Sequence, residues 1–450
     1  MPVRHFSTCI IRPQHQHGLA TPTPKVFNVT AWDISLLTAR YIQKGLLFRK
    51  PSSSSQVQYE EVDIIPLIQR LKTSLSHTLA HFSPLAGRFL FQNQAPASSH
   101  IFIDCNDAGA EFIHAVADMT TVADLLPLDH SSHPMLESFF PLTGAVSIDA
   151  ISKPLLAVQL TELADGFFLD CAFNHCVGDG NSFWHFLNSW AEMCRSSNIS
   201  RPPILDRWFP SEIQPPILLP FSHPEEIVDR VRLPTLGDKF FHFSPQSIAR
   251  LKAEANAECG SQINRISSFQ ALAAHMWRCI TRARNLPACE TTACRFSVDN
   301  RARLEPRLSR DYFGNFVQML TASATAGQLA NDGMGWAALR VHEVVAGHGD
   351  SVARSAYAAM ARKPLIYGLS SFSKLDLMIG SSPRFDVYGV DFGWGSAVAV
   401  RTGWDNKFEG KMTAFPGKEG GGSVDLELCL SADVMRALEA DEEFVAYVSS

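Results

Sequence analysis

The stretch "FNHCVGDGNSFWHF", residues 173–186, places a histidine four positions before an aspartate and a glycine on each side of that aspartate. On a continuous helix His175 and Asp179 would share one face. Gly178 and Gly180 make a helix unfavourable there, because each costs about 1 kcal/mol relative to alanine inside a helix. We therefore expect a tight turn that carries His175 and Asp179 between two regular elements.

The flanking segments indicate what those two elements are. Residues 166–175, GFFLDCAFNH, are apolar and aromatic-rich and predict a buried or half-buried strand. Downstream, apolar residues recur at helical spacing, and Asn181 or Ser182 is placed to cap the helix. These apolar residues are Phe183, Phe186, Leu187, Trp190 and Cys194. His175 is thus expected at a strand end, where a rigid element can hold a reactive side chain at a cleft.

The stretch alone leaves several roles open for His175. It fits a general base in a cleft, and it also fits a hydrogen-bonded histidine of the core. A metal site would need more ligands, and His175, Cys176, Asp179 and His185 do not have the spacing of a tetrahedral zinc site. Cys176 as a nucleophile would need a separate base and a stabilised thiolate. A GxSxG elbow, a P-loop and a complete dinucleotide fingerprint are missing from the sequence, so hydrolase, NTPase and Rossmann functions lose their usual support.

Length and composition limit the remaining classes. The chain has 450 residues, which is long for one core and suggests two or three domains. Its formal net charge is −6 and no long run of like charge occurs, so neither a nucleic acid nor an anionic membrane is an expected partner. No segment approaches the ~18 apolar residues of a membrane span.

The cysteines and the first residues suggest a compartment. The 10 cysteines are scattered, without a CxxC pair or a short disulfide framework, and we expect reduced, mostly buried thiols. The opening stretch MPVRHFSTCIIRPQHQHG lacks the continuous apolar region of a signal peptide. These observations predict a cytoplasmic protein.

The chain divides into two halves in this interpretation. Residues 1–200 alternate strand-like and helix-like segments, including an apolar stripe in VDIIPLIQRLKTSLSHTLAHF that predicts a helix. Eight prolines lie from Pro202 to Pro234, a density that excludes a regular helix or central strand. We read 201–238 as an extended crossover and 239–450 as a second mixed α/β half.

The second half repeats these element types. SSFQALAAHMWRCITRAR predicts an amphipathic helix with Ser267 or Ser268 as its cap, and CRFSVDNRARL predicts a strand that runs into a basic turn. KMTAFPGKEGGGSVDLELCLS predicts two strands joined by a glycine loop. In YGVDFGWGSAVAVR, residues 388–401, two glycines around a tryptophan suggest a tight turn before a strand, and Asp391 could hold that turn by pairing with an arginine.

Together these motifs resemble the BAHD acyltransferases, a plant family that transfers acyl groups from coenzyme A thioesters. HCVGDG at 175–180 matches the family's HxxxDG motif, and DFGWG is intact at 391–395. The similarity runs nearly end to end, through STCIIRP, LSHTLAHFSPLAGRF, SSFQALAAHMWR, SVDNRARL and DYFGNFV in the expected order. HxxxD alone is a weak signal, whereas HxxxDG combined with DFGWG at this separation is a strong one.

The resemblance implies a fold and a reaction. The fold is mixed α/β (α+β), with two similar chloramphenicol-acetyltransferase-like domains joined by a long crossover and a channel between them. Acyl-CoA enters from one face as co-substrate, an alcohol or amine acceptor enters from the other, and His175 acts as general base without an acyl-enzyme. A monomer with no metal and no permanently bound cofactor is expected.

The resemblance also assigns supporting residues. Asp179 turns away from the reacting centre and pairs with Arg301, as a brace to which Gly180 of the same motif contributes. Asp391 is sometimes given a catalytic role in the family, and we carry it as a catalytic candidate whose alternative is structural support.

The sequence departs from the family in one segment. Hydroxycinnamoyl-transferring relatives often have Thr-Ser-Trp shortly before DFGWG, whereas this chain has GSSPRFDVYG at 380–389. The Ser382 hydroxyl or a backbone N–H then becomes the oxyanion donor. Arg384 either contacts an acidic group of a substrate or lies on the surface. For the phosphates of coenzyme A, the start of the helix at Ser267 and Ser268 is the expected site.

Two other functions stay open at this point. A repurposed member of the family would perform a lyase-type reaction in the same channel, and a non-catalytic member would only bind ligand. The intact HxxxDG motif favours transfer over both. Neither the acyl donor nor the acceptor can be inferred from the sequence.

Overall fold

The computed structural model describes residues 3–14, 25–50, 64–95, 98–126, 137–228, 236–260, 266–368 and 371–449. Its strands are β1 Arg4–Ile11, β2 Val26–Asn28, β3 Ile42–Arg49, β4 Arg88–Ala95, β5 Ser98–Asp104, β6 Ala110–Ala117, β7 Leu156–Leu163, β8 Gly166–Phe173, β9 Gly237–Phe243, β10 Thr291–Asp299, β11 Val317–Thr325, β12 Leu377–Ser381, β13 Ala399–Thr402, β14 Lys411–Pro416 and β15 Val424–Leu430.

The helices alternate with these strands. They are α1 Ala31–Ile34, α2 Ile64–His81, α3 Val122–Leu125, α4 Gly180–Ser196, α5 Pro245–Glu258, α6 Ser268–Ala283, α7 Ala326–Asn331, α8 Gly333–Ala346, α9 Asp350–Arg362, α10 Ala432–Glu439 and α11 Glu442–Val445. The predicted helices around residues 64–81, 183–194 and 267–284 are thereby confirmed.

Two six-stranded sheets organise the chain, and a small three-stranded sheet accompanies them. The first sheet has the strand order β1-β6-β7-β8-β3-β13, and the second has the order β11-β10-β12-β14-β15-β9. The small sheet has the order β2-β5-β4. The predicted mixed α/β architecture with two sheet-rich domains is confirmed, and each six-stranded sheet mixes parallel with antiparallel pairs.

One strand of the second half belongs to the first sheet. β13 pairs antiparallel with β3, so that Ala399 lies opposite Leu47 and Thr402 lies opposite Lys44. The segment after DFGWG therefore covers the edge of the first sheet. The division into 1–200, 201–238 and 239–450 stays a prediction, but this strand exchange means that the sheets do not follow those boundaries strand for strand.

The long connection between the halves contacts both of them. Residues 201–228 contain short bridges instead of long strands: Ile204 pairs with Tyr312 of the second half, and Leu219 pairs with Ser99 of the first. This arrangement suits a proline-rich segment, because proline cannot donate a backbone hydrogen bond to a ladder.

Each large sheet has its own core. In the first half, α2 and α4 cover one face of the sheet, and the indole N–H of Trp190 on α4 donates to the carbonyl oxygen of Leu71 on α2 over 3.3 Å. In the second half α5, α6 and α8 pack on the sheet, with Trp277 of α6 fully buried. The strand and helix that flank the HCVGDG turn belong to the first of these cores.

Candidate active site

His175 lies just beyond the end of β8, on a turn that hydrogen bonds hold firmly. The N–H of Asn174 donates to the carbonyl oxygen of Leu155 over 2.9 Å, and its side-chain amide donates to that of Ser147 over 2.8 Å. Its side-chain oxygen accepts the N–H of Cys176 at 3.0 Å. Asn174 thus fixes the backbone on both sides of His175.

A buried polar network from both halves holds the backbone of His175 itself. The side-chain amide of Asn315 donates to the carbonyl oxygen of His175 over 2.7 Å and to the Asp33 carboxylate over 2.9 Å. Asp33 is fully buried and also forms an ion pair with Arg207 from the crossover. No sequence pattern assigns a role to Asp33, Arg207 or Asn315, although Asn315 lies within the DYFGNFV match.

The imidazole of His175 is kept neutral by its surroundings. Burial lowers the pKa of His175, the positive charge of Lys411 lowers it further, and the Asp179 carboxylate acts in the opposite direction. Nδ1 of His175 is buried and has no hydrogen-bond partner in the part of the chain that the structure describes. A neutral imidazole can accept a proton, as a general base must.

Asp179 caps the helix that follows the turn, which corrects the sequence expectation. The N–H of Ser182 donates to the Asp179 carboxylate over 3.1 Å, and α4 begins at Gly180. Asn181 and Ser182, the predicted caps, lie inside the first turn instead. Aspartate performs this function well because its carboxylate accepts a free N–H at the positive end of the helix.

Arg301 binds the same carboxylate from the second half. Its two terminal nitrogens donate to the two oxygens of Asp179 over 2.8 and 3.2 Å, and both side chains are almost completely buried. Arg301 also donates to Asp299 over 3.1 Å and to the carbonyl oxygens of Tyr312 and Gly314 over 3.1 and 3.0 Å. Burial opposes the charge of Arg301, but the two carboxylates outweigh it and raise its pKa. The structure therefore brings Asp179 and Arg301 together.

The glycines of the turn allow close packing. A Cβ on Gly180 would lie 2.7 Å from the ring of Phe385, and a Cβ on Gly178 would lie 2.6 Å from the Cβ of Ser182. Real Cβ atoms are not found so close to other atoms, so any side chain at Gly180 would displace Phe385. Gly180 thus lets the segment 380–389 pack directly against the start of α4.

That segment carries the other predicted substrate contacts. The Ser382 hydroxyl accepts the N–H of Arg384 at 3.2 Å, which leaves its own proton able to donate elsewhere. Arg384 itself is exposed. The adjoining Ser381 has a left-handed φ of 64°, and its hydroxyl is buried without a hydrogen-bond partner among the described residues. Strained residues with unsatisfied polar groups are typical of functional sites.

The DFGWG segment forms a tight turn that Asp391 closes. The Asp391 carboxylate accepts the N–H groups of Gly393 and Gly395 at 2.7 and 2.9 Å, and both glycines have a positive φ, 95° and 96°. Phe392, which precedes these glycines, is buried and packs edge-on against Trp190 of α4, with ring centroids 4.8 Å apart. The turn docks on the first half and directs the chain into β13.

Asp391 is not brought to His175. Arg195, in the last turn of α4, donates to the backbone carbonyl oxygen of Asp391. Asp179 caps the opposite end of this helix, and 16 residues at 1.5 Å each separate the two ends by about 24 Å. The hydrogen bonds of Asp391 therefore support a structural role, in place of the catalytic role considered from the sequence.

The start of α6 has the predicted cap. The Ser267 hydroxyl accepts the N–H of Gln270 at 3.3 Å, while the Gln270 side chain accepts the N–H of Ser267 at 2.8 Å. Ser268, the first residue of the helix, is exposed. This reciprocal cap leaves other N–H groups of the first turn directed outward, where an anion can accept them.

Three of the four residues weighed as metal ligands are directed to different protein groups. Asp179 binds Arg301, the Cys176 thiol lies 3.1 Å from the carbonyl oxygen of Asp33, and His185 contacts the carbonyl oxygen of Arg201 at 2.7 Å. Burial raises the pKa of the Cys176 thiol far above its usual range, and this does not suit a nucleophile.

One other group of metal-ligand residue types occurs in the part of the chain that the structure describes. It consists of His275 and Cys279 on α6 with Glu443 on α11. Glu443 is already engaged by Arg278 and Arg282, with nitrogen–oxygen distances of 3.6 and 3.0 Å. These ion pairs account for the glutamate without a metal.

The comparisons with known proteins agree with this architecture. The model of the Transferase family matches residues 2–445. The chain is 37% identical to an uncharacterized acetyltransferase of Arabidopsis thaliana, with 98% of each chain covered. It is 34% identical to the BAHD acyltransferase DCR of the same plant, with 94% of this chain and 88% of the relative covered. The chain therefore belongs to the Transferase family and is an acyltransferase of the BAHD type.

Solved structures show the same fold. Vinorine synthase covers 100% of this chain at a TM-score of 0.75 and 22% identity, with 99% of its own length matched. The TRI101 protein of F. sporotrichioides, complexed with coenzyme A and T-2, covers 94% of this chain at a TM-score of 0.73 and 19% identity, and 99% of its own length is matched. None of the described helices is both long and apolar enough to cross a bilayer.

Proposed function

We propose that this acyltransferase moves an acyl group from an acyl-CoA thioester to a hydroxyl or amine of a small specialised metabolite, with His175 as general base. The observation that carries the proposal is the setting of His175: a half-buried imidazole at a strand end, with a lowered pKa and a backbone carbonyl held by Asn315. The complex of the related fold with coenzyme A supports the choice of donor.

The reaction follows from a neutral imidazole held in place. His175 removes the proton from the acceptor as its oxygen or nitrogen attacks the thioester carbonyl carbon, and a tetrahedral intermediate forms. The intermediate then expels the coenzyme A thiolate, which takes the proton back from the imidazolium. Both substrates bind together between the halves, so positioning supplies much of the rate and no acyl-enzyme forms.

The oxyanion of that intermediate needs a donor near His175. The segment 380–389 supplies the candidates: the free proton of the Ser382 hydroxyl and the unpartnered hydroxyl of Ser381. Phe385 of the same segment packs on Gly180, so the segment lies beside the catalytic turn. A donor aimed at the developing charge contributes about 2.7–4 kcal/mol to such reactions.

Coenzyme A binding, the Asp179–Arg301 brace and the oligomeric state complete the proposed function. The free N–H groups at the start of α6, beside Ser267 and Ser268, bind a phosphate of coenzyme A. The brace of Asp179 and Arg301 keeps the catalytic turn in register with the second half. The enzyme acts as a cytoplasmic monomer with no metal or permanent cofactor, a state that light scattering and metal analysis of the purified protein would test.

Thiol release from a panel of acyl-CoAs, each with pooled alcohols and amines, tests the reaction. We expect one donor to give acceptor-dependent release, and His175→Ala to reduce it by about a hundredfold or more. His5→Ala, at an exposed histidine of β1, is the matched control and should behave as wild type. If His175→Ala retains full activity, His175 is not the base. Release without an acceptor product would favour the lyase-type alternative.

A further inference from the structure

The second sheet has a charged face directed toward the first half. Along β14, Met412 and Ala414 belong to the core of the second half, whereas Phe415 belongs to the core of the first. Successive strand residues point to opposite faces, so Lys411 shares its face with Phe415. Register then places Cys429 of β15 beside Lys411, and Glu427 two residues away on the same face.

A second lysine approaches this face from the first sheet. Lys44 of β3 lies on the same side of its strand as Leu46 and Phe48, both in the core of the first half. Its ammonium group lies 4.8 Å from the centre of the Phe415 ring on β14. The ammonium of Lys411 lies against Gly380, at the start of the segment that carries Ser381 and Ser382. Both lysines thus lie where the two sheets meet.

A third lysine of this region, Lys407, has carboxylate partners for its ammonium group. Lys407 forms ion pairs with Asp238 and Glu427, with distances of 2.6 and 2.9 Å. Burial opposes its charge, but the carboxylates outweigh that effect and raise its pKa. Among the described residues, Lys44 and Lys411 have neither a hydrogen bond nor an ion pair to their ammonium groups.

The environment of Lys44 and Lys411 disfavours their charged forms and lowers the pKa of both ammonium groups. Burial lowers the pKa of Lys44 to about 7 and that of Lys411 to about 8, although the negative charge of Glu427 opposes this effect at both lysines. Neutral hydrocarbon side chains would fill these strand positions without this destabilisation. Three lysines of this cluster face two carboxylates, Asp238 and Glu427, and Lys407 forms ion pairs with both. An anion would therefore neutralise the remaining positive charge near Lys44 and Lys411.

We propose that Lys44 and Lys411 form a subsite for a carboxylate carried by one of the two substrates, next to His175. The ammonium of Lys411 lies against Gly380, in the segment whose Phe385 packs on Gly180 of the turn that carries His175, and its positive charge lowers the pKa of His175. The inference rests on the proposed acyl transfer, because it names the chemistry of a substrate of that same site. The carboxylate belongs either to a dicarboxylic acyl donor or to an acidic acceptor.

Calorimetric binding to the purified chain tests the subsite without turnover. Malonyl-CoA against acetyl-CoA is the donor arm, and 4-hydroxybenzoate against its methyl ester is the acceptor arm. In one arm, the acid should bind about tenfold or more tightly than its neutral counterpart. It should also take up protons at pH 7.5, seen as a heat that depends on the buffer, because a bound carboxylate favours the charged lysines.

Single substitutions test whether Lys44 and Lys411 cause the preference for the acid over its neutral counterpart. Lys44→Met and Lys411→Met should each remove about tenfold to a hundredfold of the affinity for the acid and leave the neutral ligand unchanged. Lys252→Met, at an exposed position of α5, is the control and should keep the preference. Melting curves of the two variants should match or exceed that of wild type, because each loses a half-buried lysine whose ammonium has no ion pair.

The outcomes separate the two proposals. A carboxylate preference that both lysine variants lose supports the subsite even if no donor releases thiol, and in that case only the transfer reaction fails. The subsite is overturned if neither acid binds more tightly than its neutral counterpart. It is also overturned if the preference survives in both variants, even where acyl transfer itself is observed.

Discussion

Arg301→Met is the substitution that most directly tests the brace between the halves. Methionine preserves the buried hydrocarbon but leaves the Asp179 carboxylate without its cation, and breaking a buried pair in this way costs about 3–5 kcal/mol. The carbonyl oxygen of Tyr312 also loses its donor, for about 1 kcal/mol more, whereas that of Gly314 keeps the Ser182 hydroxyl at 2.9 Å. The free energy of unfolding should therefore fall by about 4–6 kcal/mol.

Asp179→Asn should be milder. Asparagine is as good a helix cap as aspartate, so the bond from Ser182 survives. Arg301 keeps Asp299 and two carbonyl oxygens, and we expect a loss of about 1–3 kcal/mol. Asp299→Asn is the control: this carboxylate is 41% exposed, so its substitution should cost no more than about 1 kcal/mol.

Urea unfolding at low temperature measures these differences, and thiol release of the folded variants measures catalysis. A brace predicts that Asp179→Asn loses stability while the folded enzyme retains most of its kcat. If Asp179 instead oriented His175 as the aspartate of a serine protease triad orients its histidine, kcat would fall by about 10⁴ with stability unchanged. That result, or an Arg301→Met variant as stable as wild type, would refute the reasoning.

Three further predictions concern packing and protonation. Gly180→Ala should destabilise the protein by about 1–3 kcal/mol, because the added Cβ would meet the Phe385 ring. Urea unfolding midpoints measure this loss, and Gly349→Ala, whose added Cβ would have nothing within 4 Å, is the control. Burial raises the pKa of Asp170 well above its usual range, so the folded state holds a proton that the unfolded state loses above pH ~4. Above pH ~4 the free energy of unfolding of wild type should fall relative to that of Asp170→Asn by up to about 1.4 kcal/mol per pH unit. Parallel plots of this free energy against pH for the two proteins would contradict a protonated Asp170 in the folded state. Because burial lowers the pKa of His175, the acidic limb of kcat/KM should have its midpoint below pH 6.5; a midpoint above that value would argue against His175 as the base.

Local signals in the sequence predicted the elements around the site. Alternating and helical apolar spacing predicted β8, α4 and α6, and serine before an apolar run predicted the cap at Ser267. The glycine-rich loop predicted the hairpin of β14 and β15. Each of these depends on neighbours within a few residues, so the chain's own order carries the information. The cap of α4 was assigned two or three residues too late, because Asn181 and Ser182 are also good capping residues.

Tertiary structure alone decided which distant groups meet. Nothing in the periodicity of residues 399–402 indicates that β13 pairs with β3 in the other half's sheet, because strand pairing depends on long-range contacts. The network of Asp33, Arg207 and Asn315 behind His175 joins three segments that share no motif. Lys44 and Lys411 are ordinary strand residues in the sequence, and only the packing of one sheet on the other half-buries both without an ion pair to their ammonium groups.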